Sequence, residues 1–454
     1  MKQFNKGPKK ALVIGGSISG LLAARVLSDF CEEVTIVEKD AKPAGVGGRR
    51  GVPQGPHAHG LLASGSRELE GFFPGFSEDL IARGALSADV VNDGRWFFEG
   101  APLARAPSGT IGILVSRPFL EAAVRASTEA LERVRIIDNC RVMRLIGGGD
   151  RIRGLITDSG PLYADLVVDA SGRGSQSDKW LKSAGCPIPS RERIDVQLCY
   201  STRYFRRRET DMEGLRFTIV AASPENKRSG VILAQEGGRW VVTLIGRFGA
   251  VPPAGLDDFI AYAKTLDAPY IYDTIRSAEP LGGGVTMRYP ESVRRRFEKL
   301  RRHPAGFLAF GDAICSFNPV YGQGMSVAAL QARVLHNVLS SNAGLSAERF
   351  YRAASTVIDT PWSIAAGGDL RMPEFRGKRP LGKRLLNWYI SRLHRFAHHD
   401  PGAAVTFLRV AQLIDPPSVL LSPKLALRAL TASKGGLRYS RNSGLKAPAA
   451  AERG

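Results

Sequence analysis

The chain has 454 residues, 44% hydrophobic and 23% charged, so it can bury a large core and does not have the composition of a disordered protein. Its net charge of +20 comes without any zinc-finger, RRM or KH signature, which argues against a nucleic-acid partner. No run of ~18 apolar residues predicts a membrane span, the short apolar stretch from Ala11 is no signal-peptide core, and the five scattered cysteines form neither a CxxC pair nor a zinc-ligand set; a cytoplasmic protein with no metal site is expected.

Ala11 to Ile14 is a short apolar run of the kind that forms a strand buried on both faces. GGSISG follows at 15–20, then Leu21 to Leu27 at helical spacing, then a second strand over Val34 to Val37 that ends in Glu38. This is a βαβ opening. A long Gly/Pro/Arg/His-rich loop occupies 42–65, and loops of that length in compact domains are usually functional. The pattern then predicts a helix from Pro118 to Leu131, hairpins between Val134 and Tyr163, and a buried strand from Asp165 to Asp169. From Asp195 to Val285 strand-like runs alternate with one helix near Leu256 to Thr265, which reads as an inserted β-rich domain. A buried strand returns at Gly306 to Phe310, a helix follows from about Gly324 to Ser340, and helices continue to about Ser433 before a loose tail. The fold class is therefore α/β: a Rossmann-like domain (1–184, resumed at 301–340), an inserted β-rich domain (185–300) and a C-terminal helical region (341–454).

GGSISG sits where a dinucleotide fingerprint belongs. Gly15 permits the tight turn, the small Ser17 lets the chain approach a pyrophosphate, and Gly20 lets helix and strand pack closely. The helix N-terminus offers free N–H groups and the positive end of its dipole. Glu38, 18 residues after Gly20, can accept both hydroxyls of an adenosine ribose. A second element, FGDAICSFNPVYGQGMS at 310–326, places Asp312 at a strand end and small Gly322 and Gly324 at a helix start. That arrangement suits a flat ring carrying negative charge, so FAD is the expected dinucleotide.

With these motifs in this order, the chain resembles the FAD-dependent monooxygenases of the p-hydroxybenzoate hydroxylase fold over about residues 9–331. The segments RRGVPQGPHAHGLL and SFNPVYGQGMSVAALQA look closest to the bacterial epoxidases of polyether-antibiotic biosynthesis, themselves similar to squalene epoxidase. The resemblance implies that Gly15, Gly16, Ser17, Ile18, Ser19 and Gly20 face the pyrophosphate, and that Glu38 and Lys39 border the adenosine ribose. Arg117 is then expected at the phosphates or ribityl chain, Val142 at the adenine, and Arg50, His59 and Gly60 in the flavin loop. Ala170, Ser171, Gly172, Gly311 and Asp312 should flank the ribityl side, and Pro319, Gly322, Gln323, Gly324 and Met325 the isoalloxazine. Tyr200, Tyr204, Trp240 and Phe248 fall where this fold keeps its substrate cavity, although aromatic residues in strands also serve as plain core.

Two departures matter. Where hydroxylases of this fold carry an Asp-Gly motif serving FAD and NADPH, this chain has Ser171-Gly172, so its electrons are expected from transient NAD(P)H binding or from a separate flavin reductase. The WxWxIP segment of flavin halogenases is absent, as is the YxWxFP-like segment of geranylgeranyl reductases. Reduced FAD would supply the oxidant by capturing O2 as a C4a-hydroperoxyflavin, with no catalytic triad required and no individual catalytic residue assigned. The implied reaction is epoxidation of an alkene in a lipophilic polyketide or terpenoid. Aromatic hydroxylation, a reductase of the same fold and a flavin sensor are the alternatives. Fourteen Lys or Arg between Arg371 and Arg441 face only three acidic residues. Trp388, Tyr389, Leu393 and Phe396 in this basic helical region are expected to pack on the main domain, to cap the cavity or to touch a membrane surface.

Overall fold

The computed structural model describes residues 8–43, 45, 51–52, 54–342, 344–369, 371–372, 374 and 382–432. Arg50, part of the flavin loop and the tail from residue 433 lie outside the described residues.

A five-stranded parallel sheet forms the nucleotide-binding half. Its order is Phe307–Ala309, Leu166–Asp169, Lys10–Ile14, Glu33–Val37 and Val134–Ile137. The central strands are apolar along nearly their whole length because mutually packed helices and the strand Arg151–Thr157 bury them in one apolar core. The helix Ile18–Leu27 packs against Gly324–Leu339, and Gly20 makes the first crossing possible: a Cβ there would lie 1.8 Å from the Gly15 carbonyl oxygen. The helix Arg117–Glu129 starts where Ser116 accepts from the Phe119 amide and Pro118 sets the first turn. Of the segments expected as hairpins, Val134–Ile137 instead joins the parallel sheet at its edge. Only the three strands Val142–Gly148, Arg151–Thr157 and Gly160–Tyr163 form an antiparallel meander.

The second sheet has eight strands, in the order Cys315–Ser316, Val285–Arg295, Arg191–Arg206, Arg239–Arg247, Arg228–Gln235, Phe217–Val220, Gly94–Phe98 and Ala101–Pro102. Three of these come from outside residues 185–300, so the β-rich layer is built by three separate stretches of chain. Gly94 enters beside Phe217, whose ring would lie 2.0 Å from a Cβ at that position. The C-terminal helices Ala347–Asp369, Lys383–Ala397, Pro401–Ala411 and Pro423–Thr431 close over this edge. Tyr389, Leu393, Leu408 and Leu420 share one apolar cluster with Val90, Val91 and Leu103. No helix among the described residues is long and apolar enough to cross a membrane.

Candidate functional site

The fingerprint turn folds as its glycines require. Gly15 has φ +99° and its missing Cβ would sit 2.8 Å from the Ala170 carbonyl oxygen, so a side chain there is excluded twice. The Gly16 amide donates to Glu38 Oε2 at 2.6 Å and the Asp40 amide to Glu38 Oε1 at 2.9 Å, which aims the carboxylate at the head of both parallel strands. Ser17 is engaged: its hydroxyl donates to Glu121 Oε2 at 2.6 Å and accepts from Arg117 Nη2 at 2.8 Å. Arg117, buried and paired with Glu121, thus braces the turn through Ser17. Ile18 is core, Lys39 is exposed, and Val142 begins the meander.

Ser19 lies under Gly311, which has φ +63° and whose Cβ would meet the Ser19 hydroxyl at 2.4 Å. The next residue, Asp312, makes no hydrogen bond to any described residue. Its carboxyl keeps an opening into the cleft, yet the protein around it pushes its pKa up to about 6, against the pull of Arg117 and Arg173. A carboxyl that opens on the cleft and has no protein donor is placed to accept from a hydroxyl-bearing ligand. The glycine cradle, the aimed Glu38 and the unsatisfied Asp312 together fit the pyrophosphate, ribose and ribityl groups of FAD.

Ala170, Ser171 and Gly172 follow a fully buried acid, Asp169. Its oxygens accept from the Ser171 amide and hydroxyl at 2.9 and 2.5 Å, from the Ser175 hydroxyl at 2.6 Å, and from Ser177. Position 171 carries no acid, and the acid two residues before it is turned inward and saturated by serines.

Beyond Asp312 a cavity of about 740 Å3 opens between the eight-stranded sheet, the turns at 54–62 and 319–323, and the C-terminal helices. At one end it is lined by His59 and Gly60 of the flavin loop and by Pro319, Gly322 and Gln323, with the Gly60 carbonyl 4.0 Å from the Cβ position of Gly322. Gly324 and Met325, also expected at the ring, start the helix behind this turn. The walls are mainly apolar, with Val90, Trp96, Leu114, Phe217, Ile245 and Ile390 among them.

Five polar side chains, His57, Tyr200, Arg247, Asp369 and Tyr321, gather near the flavin end. His57 Nδ1 is 2.7 Å from Thr202 Oγ1 while its Nε2 is buried without a partner, and burial lowers its pKa to about 4. The Tyr200 hydroxyl is also buried and unpartnered, with its pKa raised well above 10 by desolvation. Arg247 donates to Asp369 at 2.6 Å, and both are almost fully buried. Tyr321 bonds to the same arginine.

Of the four aromatics expected at the substrate, Tyr200 lines the cavity and three do not. Trp240 is fully buried in the sheet core and donates to Asp211 at 2.9 Å. Tyr204, on the same face as Tyr200 four residues along the strand, lies outside the cavity and donates to the Pro56 carbonyl at 2.7 Å. Phe248 sits in the turn after Arg239–Arg247 with φ +48°. In the C-terminal region, Tyr389 and Leu393 are core, Phe396 is partly buried and Trp388 is half-exposed. The cavity is closed instead by Leu386, Ile390 and His394 of the same helix. Their i, i+4, i+8 spacing was readable; nothing in the sequence linked Arg247 to Asp369, 122 residues away.

No family model matches the chain. It is 33% identical over 456 residues to Protein Rv3254 of Mycobacterium tuberculosis, covering 92% of this chain and 93% of that protein. It is 27% identical over 356 residues to the FAD-dependent monooxygenase atmM of Aspergillus flavus, covering 73% of this chain and 69% of that protein. Among solved structures, the flavin-dependent brominase Bmp2 superposes with a TM-score of 0.65 at 16% identity, over 88% of this chain and 92% of its own. At that identity the likeness concerns the fold alone.

Proposed function

Because this chain belongs to the family of Protein Rv3254, among the FAD-dependent monooxygenases of the p-hydroxybenzoate hydroxylase fold, we propose that it inserts one oxygen atom of O2 into an alkene of a lipophilic substrate. The observation that carries this reading is the apolar cavity of about 740 Å3 running from the flavin-facing turns to the C-terminal helices. Bound and reduced FAD supplies the activated, electrophilic oxygen; the chain must hold the substrate, keep water out and leave the oxygen where the carbon can reach it.

Epoxidation is favoured over aromatic hydroxylation by the groups at the flavin end. A phenol is activated by removing its proton. His57, with its pKa near 4, is too weak a base for that, Tyr200 is held neutral, and Arg247 is neutralised by Asp369. An alkene needs no base. The likeness of the flavin loop to epoxidases supports the same choice, and extends it to a polyketide or terpenoid of antibiotic biosynthesis. Electrons would come from transient NAD(P)H binding or a partner reductase, since Ser171 stands where the acid serving both FAD and NADPH is expected.

Peripheral contact with anionic lipid belongs to the same reading. Leu385, Trp388, Leu427 and Leu430 are exposed on two adjoining helices, beside Arg392 and Arg428, next to the cavity wall at Leu386 and Leu421. The test of the function is labelled dioxygen: reduced holoprotein, a polyene and 18O2 should give an epoxide containing one labelled oxygen. Unlabelled or absent product contradicts it.

A further inference from the structure

His394 has no role in the account so far, yet its environment is unusual. It is 4% exposed, lies on the cavity wall, and neither Nδ1 nor Nε2 has a hydrogen-bond partner. The ring is fixed between Phe98, with centroids 4.8 Å apart, and Phe407, edge-on at 4.5 Å. The charged groups nearby are satisfied by one another: Arg371 and the Ser391 hydroxyl both bond to Glu99. Burial drives the imidazole pKa down to about 3, so the ring is neutral at pH 7, with one N–H to give and one nitrogen to accept.

The place of His394 in the fold gives it a direction. Phe98 belongs to a strand three steps across the sheet from Arg239–Arg247, whose Arg247 borders the flavin end. At a strand spacing of ~4.8 Å this separates the two ends by about 14 Å. We propose that His394 is a specificity-determining residue that anchors an uncharged hydroxyl or carbonyl oxygen at the end of the substrate remote from the carbon to be oxidised. The substrate is then an apolar molecule roughly 14 Å long, with an oxygen at one end and an alkene at the other. A hydrocarbon leaves the imidazole dry and unpaired. A carboxylate gains nothing from a neutral ring beside Arg371, which Glu99 already occupies.

This inference rests on the monooxygenase reading for the word substrate, but its test does not involve turnover. Oxidised holoprotein is titrated with farnesol, with the hydrocarbon farnesene and with farnesoic acid, following the perturbation of flavin absorbance. Farnesol should bind about tenfold more tightly than farnesene, and the acid no better than the hydrocarbon. In His394→Phe that ratio should fall to about one with farnesene affinity kept; His394→Gln, which can still donate and accept, should retain several-fold. A ratio near one in the unaltered protein, an undiminished ratio in His394→Phe, tightest binding of the acid, or no binding of any probe would overturn it. If oxygen transfer fails while the alcohol preference stands, the monooxygenase reading alone is wrong.

Discussion

The Arg247 guanidinium donates to Asp369 Oδ1 at 2.6 Å, and Asn318, the residue before the flavin-facing Pro319, donates to that same oxygen at 2.7 Å. One buried carboxylate therefore ties the substrate sheet, the long C-terminal helix and the flavin turn together. Breaking a buried ion pair from one side leaves the other charge stranded, at a cost of about 3–5 kcal/mol. Asp369→Ala should lower the thermal midpoint by several degrees and loosen the flavin turn. The double variant Arg247→Leu with Asp369→Leu should recover much of the loss. Calorimetry on the unaltered protein and the two variants checks this, and equal losses in the single and double variants would show that the pair is not the source.

Asp312 opposes folding without its ligand. Folded, it holds its proton up to about pH 6; unfolded, it releases it near 3.8. Its stabilising contribution is thus complete below 3.8 and is lost as pH rises through 6. Asp312→Asn should raise the midpoint of the flavin-free protein at pH 7 while weakening FAD about 10- to 100-fold, the worth of a hydrogen bond to a charged group. Flavin fluorescence titration reads the second effect. Unchanged FAD affinity would remove Asp312 from the site.

The buried imidazoles set a pH limit of the opposite sign. His57 and His394 have pKa values lowered from 6.5 to about 4 and about 3, so unfolding takes up protons once the pH drops below 6.5. Their contribution is present above 6.5 and is lost as pH falls towards those values. The holoprotein should melt on the order of 5 °C lower at pH 5 than at pH 7. Replacing both with Asn should reduce that slope, leaving the share of His59, whose pKa burial also lowers to about 4, and a slope unaltered by the replacement would assign it to other groups.

Lipid contact predicts co-sedimentation with phosphatidylserine vesicles and much less with phosphatidylcholine. Leu385→Glu with Trp388→Glu should abolish the binding without changing flavin content, because neither side chain lines the cavity. Binding that survives both changes would move the contact elsewhere.

The nucleotide half was legible because its chemistry is local: Gly15, Gly20 and Glu38 sit within one βαβ unit, and their spacing fixes their roles. The place of Asp312 after a buried strand was legible for the same reason, and its role toward FAD is what the fluorescence titration tests. The cavity was not. Its walls come from residues 54–62, 88–114, 200–247, 319–323 and 360–421, and no pattern along the chain reports which strand face another segment will cover. Trp240 illustrates the failure: being aromatic in a strand does not say which side of the sheet a residue faces, and Tyr204, on the right side, meets the Pro56 carbonyl instead. Asp169 was legible as the end of a buried strand, but its saturation by three serines is a tertiary fact.

The account turns on oxygen being activated at a site closed by this cavity. The most direct measurement is stopped-flow absorbance of the reduced holoprotein mixed with oxygenated buffer, with and without a polyene. The account predicts a transient species between reduced and oxidised flavin whose decay quickens when the polyene is present. Direct return to oxidised flavin, at a rate indifferent to the polyene, would contradict it.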